Sequence, residues 1–270
     1  MLLRDIIRYM KTQKIKDFFD KVLSEIFVDK YSCIACDDEL PEPTRYGLCE
    51  KCYNELEFTG ESICKKCGRL QHNEADFCLT CQEHKREFEF ARSCVVYNDK
   101  AKDLVRGLKF GRKKYFGKYF AAYLIDRYAK DFSAIAIDCI IPVPLTEKRR
   151  KARGYNQAEV MARVLSKAVE VPCDDTLVVK SVDNLEQAKL KGKEREKNIL
   201  GVYEVARRED VKGKTILIVD DVMTTGSTLN EIARILKKAK AKEVYGLTFA
   251  STRYKLQGET LVLEEENYED

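Results

Sequence analysis

The sequence contains no long apolar segment. None of its stretches approaches about 18 uncharged apolar residues, the length that a membrane-spanning helix needs, and 35% of the 270 residues are charged. The first residues, MLLRDIIRYMKTQK, mix apolar with charged side chains and lack the unbroken apolar core and small-residue cleavage site of a signal peptide. These absences argue against a transmembrane segment and against export, and they predict a cytoplasmic location.

A large excess of one charge sign is also missing, because 49 Lys and Arg residues nearly balance 45 Asp and Glu residues. Total charge therefore does not indicate a nucleic-acid partner, and only the distribution of charge could do so. Residues 100–118 carry a net charge of +7 and include Phe110, Tyr115 and Phe116, whereas residues 31–87 carry −5. Basic side chains beside aromatic rings are typical of single-strand nucleic-acid binding, and the alternative is a solvated pair of amphipathic helices. The candidate nucleic-acid-binding cations are Lys109, Arg112, Lys113, Lys114 and Lys118.

Cysteine is abundant for a chain without an export signal. Eight of the 11 cysteines fall in four CxxC pairs, which are separated by 12, 11 and 10 residues. Thiols stay reduced in the cytosol, so the pairs favour metal binding over disulfides, and four thiolates complete the tetrahedral shell of a structural zinc ion. We therefore expect two structural zinc sites. The simplest pairing places Cys33, Cys36, Cys49 and Cys52 in one site and Cys64, Cys67, Cys78 and Cys81 in the other; an interleaved pairing fits the same count.

Beyond residue 88, stretches with strand-like and helix-like patterns alternate. This alternation predicts an α/β domain with a mainly parallel sheet flanked by helices. The expected strands cover 93–97, 136–143, 177–180, 202–205, 215–219 and 244–250, and the expected helices cover 99–109, 114–129, 157–169 and 227–239. The chain then divides into an amphipathic helical segment (1–30), a small double zinc ribbon (31–87), the α/β domain (88–252) and an acidic tail (253–270).

The most distinctive chemistry lies between Ile216 and Thr228, in the stretch ILIVDDVMTTGST. Four aliphatic residues predict a buried strand, Asp220 and Asp221 follow it, and a hydroxyl-rich loop then opens a helix. Backbone N–H groups at a helix N-terminus bind phosphate, and Gly226 lets the main chain approach it closely. Adjacent carboxylates repel one another unless they meet hydroxyl donors or a divalent cation. The pattern predicts a ligand with a vicinal diol beside a phosphate, and the missing GxxxxGK[ST] lysine excludes a nucleoside-triphosphate P-loop.

This 13-residue stretch resembles the phosphoribosyl pyrophosphate (PRPP) binding motif of type I phosphoribosyltransferases. From about residue 31 to 252 the sequence also resembles the ComF family of competence proteins, which join a double zinc ribbon to a phosphoribosyltransferase domain. Besides the CxxC pairs, the resemblance rests on IPVPL at 141–145, RGYNQA at 153–158, and the spaced residues Gln187, Leu190, Arg195, Asn198 and Tyr203.

The resemblance implies PRPP and Mg²⁺ as ligands. Asp220 and Asp221 would hold the ribose hydroxyls directly or through Mg²⁺, and Arg195 would act from a lid over 184–200 that closes on the leaving pyrophosphate. These three form the implied catalytic set. The implied PRPP-binding set adds Val222, Met223, Thr224, Thr225, Gly226, Ser227 and Thr228 for the ribose and 5-phosphate, and Pro142, Val143, Pro144, Leu145, Arg149 and Arg153 for the pyrophosphate.

Three functions fit these residues. The family resemblance implies a competence factor that handles internalised single-stranded DNA during natural transformation, alongside the helicase-like ATPase of the competence system. A phosphoribosyltransferase domain also fits a salvage enzyme that attaches a free nucleobase to PRPP, or a module that senses PRPP without turnover. The sequence identifies no acceptor pocket, so ligand binding is better supported than catalysis.

Overall fold

A computed structural model of the chain describes residues 31–71, 75–110, 115–181, 201–257 and 260–263. Several predictions lie outside these residues: the amphipathic segment 1–30, the lid 184–200 with Arg195, and the cations Arg112, Lys113 and Lys114. Within the described part of the chain, no helix is both long enough and apolar enough to cross a membrane.

The zinc-ribbon segment holds only short elements, and longer strands and helices follow it. The strands are β1 (Tyr31–Ser32), β2 (Glu39–Leu40), β3 (Ala91–Val96), β4 (Cys139–Pro142), β5 (Val178–Lys180), β6 (Tyr203–Val205), β7 (Thr215–Met223), β8 (Glu243–Ser251), β9 (Tyr254–Gln257) and β10 (Thr260–Leu263). The helices are α1 (Glu50–Asn54), α2 (Leu79–Glu83), α3 (Asp99–Phe110), α4 (Phe116–Asp131), α5 (Glu147–Arg153), α6 (Gln157–Val169) and α7 (Ser227–Lys238).

Four strands form the central sheet in the order β3-β8-β7-β4, and every pairing in it is parallel. The predicted α/β class is therefore confirmed. The strands β5 and β6 do not join this sheet, since they pair antiparallel with each other. The expected strand over 215–219 is too short, because Asp220 and Val222 continue the ladder opposite Thr248 and Ala250 of β8. Both acids consequently lie within the last residues of β7.

The sheet has a hydrophobic core on each face, as the alternation of side chains along β7 requires. Leu217 and Val219 contribute to a core with α3, α4 and α6, and the first ribbon packs against this same core. Ile216 and Ile218 contribute to the opposite core with α7, and the second ribbon packs there. The two ribbons thus cover opposite faces of one sheet.

Candidate functional site

The eight CxxC cysteines form two groups of four. The Sγ atoms within each group all lie within 4.8 Å of one another, with Cys36 and Cys49 at 3.8 Å and Cys67 and Cys78 at 3.6 Å. A Zn–S bond of about 2.3 Å in tetrahedral geometry requires sulfur separations of about 3.8 Å, so both groups fit zinc. Consecutive pairs share a site, and the interleaved pairing is wrong. Four thiolates per ion leave no position for a reactive water, which makes both zinc sites structural.

Each ribbon is attached to the sheet domain by specific contacts. In the first ribbon, Arg45 Nη2 donates to Asp126 Oδ1 (2.6 Å) and Tyr46 OH donates to Asp126 Oδ2 (2.5 Å), which joins the ribbon to α4. In the second ribbon, Ala91 N donates to Lys66 O at the start of β3 (2.8 Å). Gly68 has a positive φ of 72°, and a Cβ there would clash with the Ala91 carbonyl. The knuckle therefore needs glycine at this position to lie against β3.

The loop between β7 and α7 has the backbone of an anion site, and we call residues 224–228 the phosphate loop. Gly226 adopts a φ of +79° immediately before α7 begins. The amides of Thr224, Thr225 and Gly226 donate to no other group in the described part of the chain. The hydroxyl groups of Thr225 and Ser227 lie 2.7 Å apart. Unpaired amides at the start of a helix, together with hydroxyl donors, are the groups that hold a phosphate.

Two arginines of the second ribbon contact the other side of this loop. Arg69 Nη2 donates to Thr224 O, and Arg86 Nη2 donates to Thr225 O at 3.0 Å. Thr252, after β8, also donates its hydroxyl to Thr224 O at 3.1 Å. Neither arginine was predicted from the sequence. The ribbon segment carries a net negative charge, and no local pattern shows that residues 155 and 139 positions apart will meet.

The two acids of the motif have different surroundings. Asp221 is buried, and its Oδ2 accepts a hydrogen bond from Gln157 Nε2 (3.0 Å) and lies 3.4 Å from Lys109 Nζ. Asp220 is partly exposed, and its Oδ1 accepts a hydrogen bond from the Asp221 amide (2.9 Å). Although the residue as a whole is partly exposed, its carboxyl group is surrounded by protein, and this burial, followed by the charge of Asp221, raises the pKa of Asp220 well above its ordinary value. Asp220 is therefore the more accessible of the two acids, whereas Asp221 is held by partners inside the protein.

Lys109 corrects one prediction for the nucleic-acid surface. It was expected to be an exposed cation, but its side chain is only 6% exposed and pairs with Asp221. Lys109 is buried because it lies on the same face of α3 as the buried residues Leu104, Val105 and Leu108. Lys118 is partly exposed. Phe110 and Tyr115 are 58% and 49% exposed, whereas Phe116 is buried in the core.

The segment after β4 lies beside the acids. Val143 N donates to Val219 O (2.9 Å), which places the turn Pro142–Leu145 next to the end of β7. Asn156 fixes this turn to α6, since its Nδ2 donates to Val143 O (2.9 Å) while its Oδ1 caps α6 by accepting from Ala158 N (3.0 Å). These hydrogen bonds therefore hold the turn beside the end of β7 and against the start of α6.

The basic residues after this turn differ in their contacts. Arg149 is partly exposed on α5. Arg153 donates to Gln157 Oε1 (2.7 Å), and Gln157 in turn donates to Asp221. The guanidinium of Arg153 also lies 5.4 Å from the centre of the Phe110 ring. The structure thus connects Arg153 with Asp221 through one amide side chain.

Comparisons with known proteins agree with this architecture. The double zinc ribbon domain family matches residues 26–94, and the phosphoribosyl transferase domain family matches residues 152–261. Competence protein F of Haemophilus influenzae is 30% identical over 82% of this chain and 97% of its own length. Competence protein ComFC of Bacillus subtilis is 27% identical over 82% of this chain and 95% of its own length. DNA utilization protein YhgH of Escherichia coli is 26% identical over 74% of this chain and 88% of its own length. The sulfur tetrads, the parallel sheet and these similarities together assign the chain to the ComF family of competence proteins.

Proposed function

We propose that this protein binds PRPP with Mg²⁺ at the carboxyl end of β7 and acts in the cytoplasm on internalised DNA. The observation that carries PRPP binding is the phosphate loop, whose amides of Thr224, Thr225 and Gly226 donate to no other described group while Asp220 lies at the adjacent strand end. A phosphate on the loop would place an attached ribose toward Asp220. A sugar phosphate with free hydroxyls therefore suits both groups.

Charged residues near the phosphate loop would stabilise the charges that develop on PRPP when it reacts. Breaking the bond between C1 and the pyrophosphate oxygen places positive charge on the ribose and negative charge on the leaving pyrophosphate. Arg149, after the turn Pro142–Leu145, would hold the pyrophosphate, and the carboxylate of Asp220 would face the ribose. Mg²⁺ prefers carboxylate and phosphate oxygens and, when bound, offsets the pyrophosphate charge. Asp220 is the described carboxylate best placed to hold it.

The proposed role in DNA handling rests on two observations. The relatives are named as competence and DNA utilization proteins, and the basic segment 100–118 retains exposed rings at Phe110 and Tyr115 with Lys118 partly exposed nearby. Stacking on such rings and phosphate contacts from lysines bind single strands without base preference. The helicase-like ATPase of the competence system is the protein partner that the family resemblance implies.

Titration calorimetry with PRPP and Mg²⁺ tests whether the protein binds this ligand. We expect the wild type to bind and Asp220→Asn to bind at least about tenfold more weakly, a difference of about 1.4 kcal/mol. Glu204→Gln is the matched control, because it removes an exposed carboxylate on β6. Wild-type protein that gives no binding heat with PRPP and Mg²⁺ would overturn the proposal. A panel of free nucleobases added to the PRPP complex separates the alternatives, since a salvage enzyme would release pyrophosphate with one of them.

A further inference from the structure

The phosphate loop is held from behind by the second zinc ribbon. Arg69 reaches Thr224 O and Arg86 reaches Thr225 O, and both side chains are buried, Arg69 with only 1% of its surface exposed. Burying a guanidinium is costly unless its hydrogen bonds are made. Each of these two buried groups donates to one of two consecutive carbonyls, so both hold the same stretch of backbone.

Because the peptide bond is planar, these two contacts also fix the direction of amide groups on the opposite side of the phosphate loop. In a trans peptide the C=O of one residue and the N–H of the next point in opposite directions. When Arg69 holds the Thr224 carbonyl, the Thr225 amide must point away from the ribbon. When Arg86 holds the Thr225 carbonyl, the Gly226 amide must do the same. These are two of the three amides that donate to no other described group.

The position of Arg69 depends in turn on the metal-binding knuckle. Cys64 N donates to Arg69 O (2.8 Å), so the residue closes the turn formed by the third CxxC pair. Its Nη1 lies 4.0 Å from Cys78 Sγ, a ligand atom of the second zinc site. One guanidinium therefore spans from a zinc thiolate to the phosphate loop. A second connection runs from Glu87 N to Asn230 Oδ1 on the first turn of α7 (2.8 Å).

We propose that Arg69 and Arg86 are positioning residues for the phosphate group of a sugar phosphate, which makes the zinc-loaded second ribbon a part of that binding site. The inference rests on the proposed function, because it assumes that the loop receives the 5-phosphate of PRPP. By linkage, zinc in the second site strengthens sugar-phosphate binding, and a bound sugar phosphate retains that zinc by the same factor. The first ribbon packs on the opposite core and serves as the internal comparison.

The binding test uses full-length, zinc-loaded protein and two probes, ribose 5-phosphate and pyrophosphate, each of which represents one part of PRPP. Arg69→Lys keeps the positive charge but removes the fork that reaches both Cys78 and Thr224. We expect it to weaken ribose 5-phosphate binding about tenfold and to leave pyrophosphate binding unchanged, a difference that general loss of structure would not produce. Arg45→Lys, the same substitution in the first ribbon, should change neither affinity. Equal weakening of both probes by Arg69→Lys would overturn the inference.

Two further measurements test the link to the ribbon. Amide hydrogen exchange at Asn230, whose N–H donates to Gly226 O in the loop (2.9 Å), should accelerate about tenfold without ligand in Arg69→Lys and stay at the wild-type rate in Arg45→Lys. In wild-type protein, ribose 5-phosphate should slow the transfer of one of the two zinc equivalents to a chelator, and Arg69→Lys should abolish that effect. Unchanged exchange at Asn230 in both Arg69→Lys and Arg86→Lys would overturn this inference whatever the ligand result. Failure of the wild type to bind any sugar phosphate would instead overturn the proposed function.

Discussion

Lys109 Nζ lies 3.4 Å from Asp221 Oδ2, and the two side chains are only 6% and 5% exposed. Gln157 donates to the same carboxylate oxygen. This arrangement joins the end of α3 to the end of β7 and gives one acid of the motif a partner inside the protein. An ion pair with so little access to water is sensitive to the loss of one member, since the remaining charge stays buried without compensation.

The first prediction concerns this ion pair. We expect Lys109→Met to lower the free energy of unfolding by about 3 kcal/mol, because it leaves the Asp221 carboxylate buried and uncompensated. The double variant Lys109→Met/Asp221→Leu should recover part of the loss, since no unpaired charge remains. Urea denaturation gives these values, and Arg106→Met on the exposed side of α3 is the control. If Lys109→Met and Arg106→Met proved equally stable, the ion pair would be structurally unimportant.

A second prediction concerns pH and Asp220. Burial and the charge of Asp221 raise the pKa of Asp220 in the folded protein, so the folded state binds this proton more tightly than the unfolded state. The contribution of Asp220 to the free energy of unfolding is therefore greatest below the unfolded pKa of about 4. It is lost as the pH rises through the folded pKa. We expect Asp220→Asn to match the wild type near pH 4 and to exceed its free energy of unfolding, measured by urea denaturation, near pH 8. A difference that does not change between these pH values would contradict this account.

Zinc content provides a third prediction. Cys36→Ser removes one thiolate from the first tetrad and should reduce bound zinc from two ions per chain to one, because the second tetrad is separate. Cys173→Ser should retain both ions, since this cysteine belongs to neither tetrad. Elemental analysis of the purified proteins measures both values. Retention of both ions by Cys36→Ser would argue against the first site.

The fourth prediction addresses nucleic acid. Lys109 is unsuitable for this test because its removal disturbs the buried ion pair, so the substitutions are Lys114→Glu and Lys118→Glu. We expect weaker binding to single-stranded DNA and a salt slope that falls by about 0.7 for each phosphate that the variant no longer binds. Lys212→Glu is the control, since it is exposed just before β7 at the amino end of the strand. Titrations that do not differ from the control would exclude a DNA surface on this segment.

Local patterns were sufficient to predict much of the fold. The helix over Gln157–Val169 has the predicted bounds, and the alternation of strands and helices predicted the parallel sheet, because each element shows its period in its own residues. The length of β7 was not predictable in this way. Asp220 and Asp221 interrupt the apolar pattern that predicts a buried strand. Asp220 and Val222 still belong to β7, because they pair with residues of β8.

The candidate site was predictable where its chemistry is contiguous in sequence. The phosphate loop and both acids come from one stretch, and the CxxC spacing indicates the metal ligands. The partners of these groups come from distant positions, and their roles depend on packing. Lys109 lies in a basic segment whose composition is typical of a surface, and only the approach of α3 to β7 shows that it neutralises Asp221. Arg69 and Arg86 acquire a role only when the second ribbon docks against α7.

The placement of the ribbons on both faces of the sheet affects how the protein should be truncated. A fragment that starts at residue 88 would lack the apolar side chains of Leu48 and Leu56 on one face and the cysteine knuckles on the other. It would expose hydrophobic surface on both sides and lose the two guanidinium groups behind the phosphate loop. We therefore expect the α/β portion to be unstable without the ribbons, and PRPP binding should be measured on the intact chain.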